Sequence, residues 1–354
     1  MRMALWLLLT ALPLGAQVAP CTSATPACTF WVTLKGGPAR SLIYTSFPLD
    51  KPNPAIRRAL IMVHGTLRNP DHYFNTASAA AFLAGAQEDT VVIAPRFASH
   101  TANGRGCNDT LADNEVNWSC GGDSWRSGGN STSNPDLTSF DFVDEILRRL
   151  ADKKVFPNLT VAVIAGHSAG GQFVDRYEMA NQVDGKLGIS LRYVVANPSS
   201  YAWPDATRPR ATDDAYPANA GVGWQDEKPH TNFTYGRYGE ASQVPGYDIW
   251  PYGLEHRTTG YTAKMSDDQL RQQLVSRDAT YLLSQVDTLP LGGFDSSADA
   301  MAQGPTRRAR GEAFVNYVNQ KLGGHHAIMI VPECGHNDRC VYTTRDVLNV
   351  IFPK

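Results

Sequence analysis

The chain has 354 residues, 42% of them hydrophobic and 19% charged, which is enough to bury a sizeable core and too apolar for a disordered segment. A formal net charge of −2 leaves no basic surplus. That balance excludes an electrostatic drive toward nucleic acid or an anionic membrane and favours small neutral substrates.

Met1-Arg2, the apolar stretch from Ala4 to Leu14, and Gly15-Ala16 read as a secretory signal spanning residues 1–19, with cleavage after Ala16 or Ala19. The apolar run is too short to cross a bilayer, and no other segment approaches that length, so no membrane span is expected. The mature chain, residues 20–354, is then exported, either secreted or periplasmic. Six cysteines agree with an oxidising compartment, and closeness along the chain pairs Cys21 with Cys28, Cys107 with Cys120, and Cys334 with Cys340. Asn108, Asn117, Asn130, Asn158 and Asn232 open N-x-S/T sequons, which matter only in a host that glycosylates.

Phe30–Leu34 and Ser41–Thr45 form an expected hairpin through Gly36-Gly37-Pro38. Continuous aliphatic runs follow at Ala59–Val63, Val91–Ala94, Val161–Ala165, Leu191–Ala196, Thr280–Val286 and Ala327–Val331, as in strands buried on both faces. Phe142, Ile146 and Leu150 mark an amphipathic helix before the third of these runs. Ala313, Phe314, Tyr317, Val318 and Leu322 mark another before the last, and Val347, Val350 and Ile351 a closing one. The alternation predicts an α/β fold with a mainly parallel sheet whose ligands bind at the carboxyl ends of its strands. Two stretches break it: Ala98–Pro135, with Trp118 and Trp125, and an insertion at about 199–277. The second carries Trp203, Tyr216, Trp224, Phe233, Tyr235, Tyr238, Tyr247, Trp250 and Tyr252, which predicts a lid or binding wall.

Gly166-His167-Ser168-Ala169-Gly170 stands where the run Val161–Ala165 meets a helical pattern, so Ser168 occupies a strand-turn-helix elbow. A serine hydroxyl needs a base, and the base needs an orienting carboxylate. His336, just past the final strand, is the expected base. Asp287, ending the strand Tyr281–Val286, is the expected acid, with Asp295 as its rival after a short loop. Two backbone donors must hold the negative charge of a tetrahedral intermediate. Ala169 N–H follows the serine directly, and Thr66 N–H comes from His64-Gly65-Thr66 after an early strand. His167 is assigned to packing of the elbow, not to proton transfer.

These residues resemble the α/β-hydrolase superfamily: strand-His64-Gly65-Thr66, Gly166-x-Ser168-x-Gly170, Asp287 after a late strand and His336 after the last, in the order serine, acid, histidine. The resemblance covers most of the mature chain and is similar to secreted serine esterases and polyester depolymerases. It implies an α/β-hydrolase fold and ester cleavage through an acyl-enzyme without a cofactor, on a small-molecule or polymeric ester. Asn197-Pro198-Ser199-Ser200-Tyr201 follows a core strand and is expected at the pocket wall, together with Arg68, Tyr73, Phe74 and Trp125. A metal site using His325, His326 and His336 is disfavoured, because adjacent residues of a strand point to opposite faces. Two other readings stay open: an amidase or peptidase with the same groups, and a catalytically silent module that holds glycans or polymers.

Overall fold

The computed structural model describes residues 19–101, 107–121, 124–210, 228–239 and 241–354. The signal through residue 18, Tyr216 and Trp224 lie outside the described residues. The first half of the chain forms β1 (Thr29–Thr33), β2 (Arg40–Thr45), β3 (Arg58–Val63), α1 (Pro70–Leu83), β4 (Thr90–Pro95), α2 (Ser139–Leu150), β5 (Val161–His167), α3 (Ala169–Ala180) and β6 (Ser190–Ala196). The second half adds β7 (Thr207–Arg210), β8 (Thr234–Arg237), α4 (Asp267–Ser276), β9 (Ala279–Ser284), α5 (Ala298–Met301), α6 (Arg307–Leu322), β10 (Ala327–Val331), α7 (Asp338–Thr343) and α8 (Arg345–Ile351).

An eight-stranded sheet runs in the order β1-β2-β4-β3-β5-β6-β9-β10. The pairings β1–β2 and β2–β4 are antiparallel, and all the others are parallel. The continuous apolar runs have their physical reason here, because both faces of the sheet are covered. Ala59, Ile61 and Val63 of β3 pack into the core shared with α2, α3 and α6, while Leu60 and Met62 turn to the core shared with α1, α7 and α8. β5 divides its side chains in the same way, Ala162 and Ile164 against Val163 and Ala165.

Helix α2 obeys its pattern. Its start is fixed by a reciprocal cap in which Thr138 Oγ1 accepts from Asp141 N–H and Asp141 Oδ2 accepts from Thr138 N–H, at 3.2 and 2.8 Å. Helix α1 had no such signature in sequence, because Ala77, Ala79, Ala80 and Ala81 favour helix without marking one face. Cys21–Cys28, Cys107–Cys120 and Cys334–Cys340 are bonded, the pairs that chain proximity suggested. No helix among the described residues is long and apolar enough to cross a membrane.

The described parts of the two irregular stretches pack onto the sheet's helical layers. Trp118 and Trp125 are buried around Phe97, which also meets Phe142 and Phe173. In the later stretch β7 and β8 pair antiparallel as a two-stranded sheet, and α4 occupies residues expected to be irregular. Trp203 is fully buried, with ring centroids 5.6 Å from Phe314 and 5.3 Å from Tyr317 of α6. Among the described aromatics of this stretch, Trp203, Phe233, Tyr235 and Trp250 pack into the core. Trp203→Ala is expected to cost about 3–5 kcal/mol in urea unfolding. A loss under about 1 kcal/mol would mean that the stretch is loosely attached, as a lid would be.

Candidate functional site

Ser168 sits between the end of β5 and the first residue of α3 with φ 59° and ψ −119°, a strained conformation for a residue with a side chain. Backbone proximity enforces it. A Cβ on Gly166 would lie 2.2 Å from Gly170 O, one on Gly170 2.2 Å from Val63 O, and one on Gly171 2.4 Å from Ala196 O. Only glycine lets the first turn of α3 pass this close to β3, β5 and β6, and that passage turns the hydroxyl out at the carboxyl end of the sheet.

Three side chains from distant parts of the chain meet there. His336 Nε2 lies 2.9 Å from Ser168 Oγ, and His336 Nδ1 lies 2.7 Å from Asp287 Oδ2. β9 ends at Ser284, earlier than expected, so Asp287 projects from the following turn, where its N–H donates to Ser284 O at 3.2 Å. That turn is laced to the His336 loop: Val286 N–H donates to Cys334 O at 3.0 Å, and Glu333 N–H to Gln285 Oε1 at 2.8 Å. The Cys334–Cys340 bond closes the loop, and α7 begins with Asn337 Oδ1 accepting from Cys340 N–H at 2.8 Å. Helix α1 holds the far side of this assembly, because Asp338 accepts from Thr76 Oγ1 at 2.9 Å and pairs with His72 Nε2 at 3.0 Å.

Arg307 was not singled out from sequence. Its guanidinium is fully buried and donates from Nη1 to Asp287 Oδ1 at 3.2 Å, from Nε to Ser199 Oγ at 2.8 Å and from Nη2 to Gly292 O at 3.0 Å. The Asp287 carboxylate thus faces His336 with one oxygen and Arg307 with the other. Asp295 is engaged elsewhere, accepting from Tyr252 OH at 2.8 Å and Ser297 N–H at 3.1 Å. His336 has its carboxylate partner in Asp287.

Gly65 closes on the other side of the serine, where an added Cβ would stand 3.8 Å from Ser168 Cβ and 2.8 Å from Tyr73 OH. Thr66 beside it is exposed, and Ala169 N–H belongs to the open first turn of α3. His64 fixes this loop from below. Phe97 N–H donates to its Nε2 at 3.1 Å, so the ring proton sits on Nδ1 and donates to Gly65 O at 2.9 Å. Arg68 braces the same turn through Thr66 O at 3.2 Å while paired with Asp109 Oδ2 at 2.7 Å.

The remaining wall candidates divide between support and core. The His167 ring lies tilted against His336 with centroids 4.6 Å apart, and Tyr73 OH reaches His167 Nδ1 at 3.4 Å. Burial, then the neighbouring His336 and Arg307, pushes the His167 pKa well below its usual range, which leaves a neutral ring behind the mobile proton. Ser199 is buried and occupied by Arg307. Tyr201 is fully buried and stacks on Phe314 at 4.8 Å, so it belongs to the core and not to a wall. Trp125, also buried, packs on His64 at 4.9 Å, and Phe74 is fully buried under α1. His326 turns away to Glu178 and to Leu274 O, and no metal-holding cluster of His, Cys, Asp or Glu occurs among the described residues.

Burial lowers the His64 pKa to about 4, against 6.5 in an unfolded chain. The folded form keeps the ring neutral, so no penalty exists above pH 6.5. One of up to about 3 kcal/mol develops as pH falls toward 4 and the unfolded state takes up the proton. Asp175 and Glu312, both raised to about 7 chiefly by burial, contribute with the opposite sign, so the comparison must be differential. The stability gap between wild type and His64→Gln, read by urea unfolding, should narrow between pH 7 and 4. A gap independent of pH would contradict the buried neutral ring.

The comparisons with known proteins agree with this architecture. A model of the alpha/beta hydrolase family matches residues 60–349. Among solved structures, poly(aspartic acid) hydrolase-1 from Sphingomonas sp. KT-1 is similar at 20% identity and a TM-score of 0.59, over 91% of this chain and 97% of that one. LpqC, a poly(3-hydroxybutyrate) depolymerase from Bordetella parapertussis, is similar at 18% identity and a TM-score of 0.57, over 92% and 94%. No curated protein sequence matches the chain. With the family model spanning most of its length and the fold shared by both neighbours, the chain belongs to the alpha/beta hydrolase family.

Proposed function

We propose that the chain is an exported serine hydrolase that cleaves carboxylic esters, small or polymeric, through an acyl-enzyme. The observation that carries this reading is the unbroken hydrogen-bonded line from Ser168 Oγ through the His336 ring to Asp287. Membership of a hydrolase family and the three disulfides, which suit an oxidising compartment, support it.

In this mechanism Ser168 Oγ attacks the ester carbonyl carbon while its proton passes to His336 Nε2. Asp287, bonded to Nδ1–H, holds the tautomer that leaves Nε2 free to accept, and stabilises the imidazolium that results. The carbonyl oxygen becomes an oxyanion between Ala169 N–H and Thr66 N–H, at the positive end of α3. Collapse breaks the bond to the alkoxide, which takes the proton from His336 and leaves as the alcohol. Water then repeats the sequence on the acyl-serine, releasing the acid and restoring Ser168. No cofactor takes part in these steps.

Ser168→Ala should lower hydrolysis of p-nitrophenyl butyrate by at least ~10⁴-fold with an unchanged circular dichroism spectrum. Retained turnover would remove the assignment. A parallel series with a matched amide separates the ester reading from a peptidase, which would cleave both. Arg307 acts here as a positioning residue. Arg307→Met leaves Asp287 in the interior without its guanidinium partner and should cost ~3–5 kcal/mol of stability. In the folded fraction it should cut kcat by more than about tenfold with KM little changed, while Arg307→Lys recovers part of kcat. Equal loss in both variants, or a loss confined to KM, would contradict that role.

A further inference from the structure

A cavity of about 360 Å³ opens one helical turn beyond Ser168, lined on one side by Gln172 and Arg176 of α3 and by Ser200, and elsewhere by Arg126, Trp250 and Tyr252. Gln172 lies one helical turn after the serine, its N–H donating to Ser168 O at 3.0 Å. Ser200 follows Ser199, the residue held by Arg307. Asp295, also in the lining, ends the loop whose Gly292 and Gly293 pack against His336 and Thr66.

Two guanidiniums reach this space, and among the described residues neither forms an ion pair. Arg126 uses one of its five N–H donors, Nε to Ser124 Oγ at 3.2 Å. Arg176 is buried and donates to Pro251 O, Gln172 O and Ser200 Oγ at 3.1 to 3.2 Å, all neutral acceptors. Holding an arginine charge out of water is costly, the nearby carboxylates Asp175 and Asp295 offset that cost only in part, and unused guanidinium donors facing a cavity can receive an anion. Burial lowers the pKa of Arg176 to about 10; the adjacent Asp175 opposes the shift and Arg126 adds to it.

The cavity also carries Asp295 and Asp299. Asp295 is already satisfied, with its two oxygens bonded to Tyr252 OH and Ser297 N–H at 2.8 and 3.1 Å. Burial alone would raise its pKa, but the Ser297 and Tyr252 hydrogen bonds outweigh it and keep the group ionised. Asp299 is part-exposed and lies against Gly246, where an added Cβ would stand 2.5 Å from its Oδ1. The Asp295 carboxylate is thus turned to the protein, while guanidinium donors of Arg126 remain for a ligand.

We infer that this cavity is a subsite for a free carboxylate carried by the substrate, bound by Arg126 and Arg176, so that the preferred ester has a second, unesterified acid group. A half-ester of a dicarboxylic acid, or the acid end of an oligoester, has that chemistry. The inference rests on the serine-hydrolase reading for the reaction but not for the binding. It departs from the neutral substrates that overall charge suggested, because a chain near neutrality can still carry a local cationic site.

The test compares methanol release from monomethyl adipate, dimethyl adipate and methyl 6-aminohexanoate, and measures binding of adipate itself by calorimetry. The anionic ester should exceed the neutral one in kcat/KM by about tenfold or more. Arg126→Gln should lower that ratio by about tenfold or more and weaken adipate binding to match, and Arg126→Lys should restore part of both. Hydrolysis without preference for the anion, preference for the ammonium ester, or a ratio unmoved by Arg126→Gln would overturn the subsite. If no ester is cleaved yet adipate binds and Arg126→Gln weakens it, the carboxylate site stands and the serine-hydrolase reading fails. Absence of adipate binding in the wild type overturns the subsite.

Discussion

The constraint on which the molecule depends is the close passage of the first turn of α3 over the carboxyl ends of β3, β5 and β6. Gly166, Gly170 and Gly171 each lie where a single methyl group would collide with backbone. Because the chain passes so close, Ser168 must take a positive φ, and the unsatisfied N–H groups of the helix end open beside its hydroxyl. The same contact sets the loop after β3, since Gly170 presses on Val63 O and His64 O. The serine and the proposed oxyanion donors are therefore placed by one steric event.

The acid and histidine side of the site rests on a different kind of order. No sheet strand holds Asp287 or His336; both stand in loops after β9 and β10, where irregular backbone would otherwise blur their positions. Hydrogen bonds between the two loops, the Cys334–Cys340 bond, and the clamp from α1 through Asp338 supply the rigidity. Arg307 completes it from α6, joining Asp287, Ser199 and Gly292 through one planar group. One cation thus ties together the acid, the segment after β6 and the loop that packs on His336.

Much of this was legible in the chain. The central strands announced themselves because burial on both faces demands uninterrupted aliphatic residues, and the Gly166–Gly170 pattern marked the elbow because sterics leave few alternatives there. Helix α1 was hidden by its alanines, which carry propensity without amphipathic contrast. Arg307 was hidden for another reason: Arg307, Arg308 and Arg310 look like a solvated charge run, yet all three are fully buried. Each is satisfied internally, by Asp287, by Glu312 and by backbone carbonyls including Ser199 O. Partners at long sequence separation leave no local trace. The aromatic-rich stretch divides between two roles: Trp203, Tyr235 and Phe233 serve to anchor it, and among its described aromatics Trp250 and Tyr252 line the cavity.

The most direct test of the central claim is the chemical state of the serine oxygen. Incubation of the folded protein with a p-nitrophenyl phosphonate, followed by peptide mass spectrometry, should give one covalent adduct on the peptide containing Ser168. The adduct should be absent when the protein is unfolded beforehand and when His336 is replaced by alanine. An unmodified Ser168 in the native protein, or labelling that survives either treatment, would show that the meeting of Ser168, His336 and Asp287 does not activate the hydroxyl.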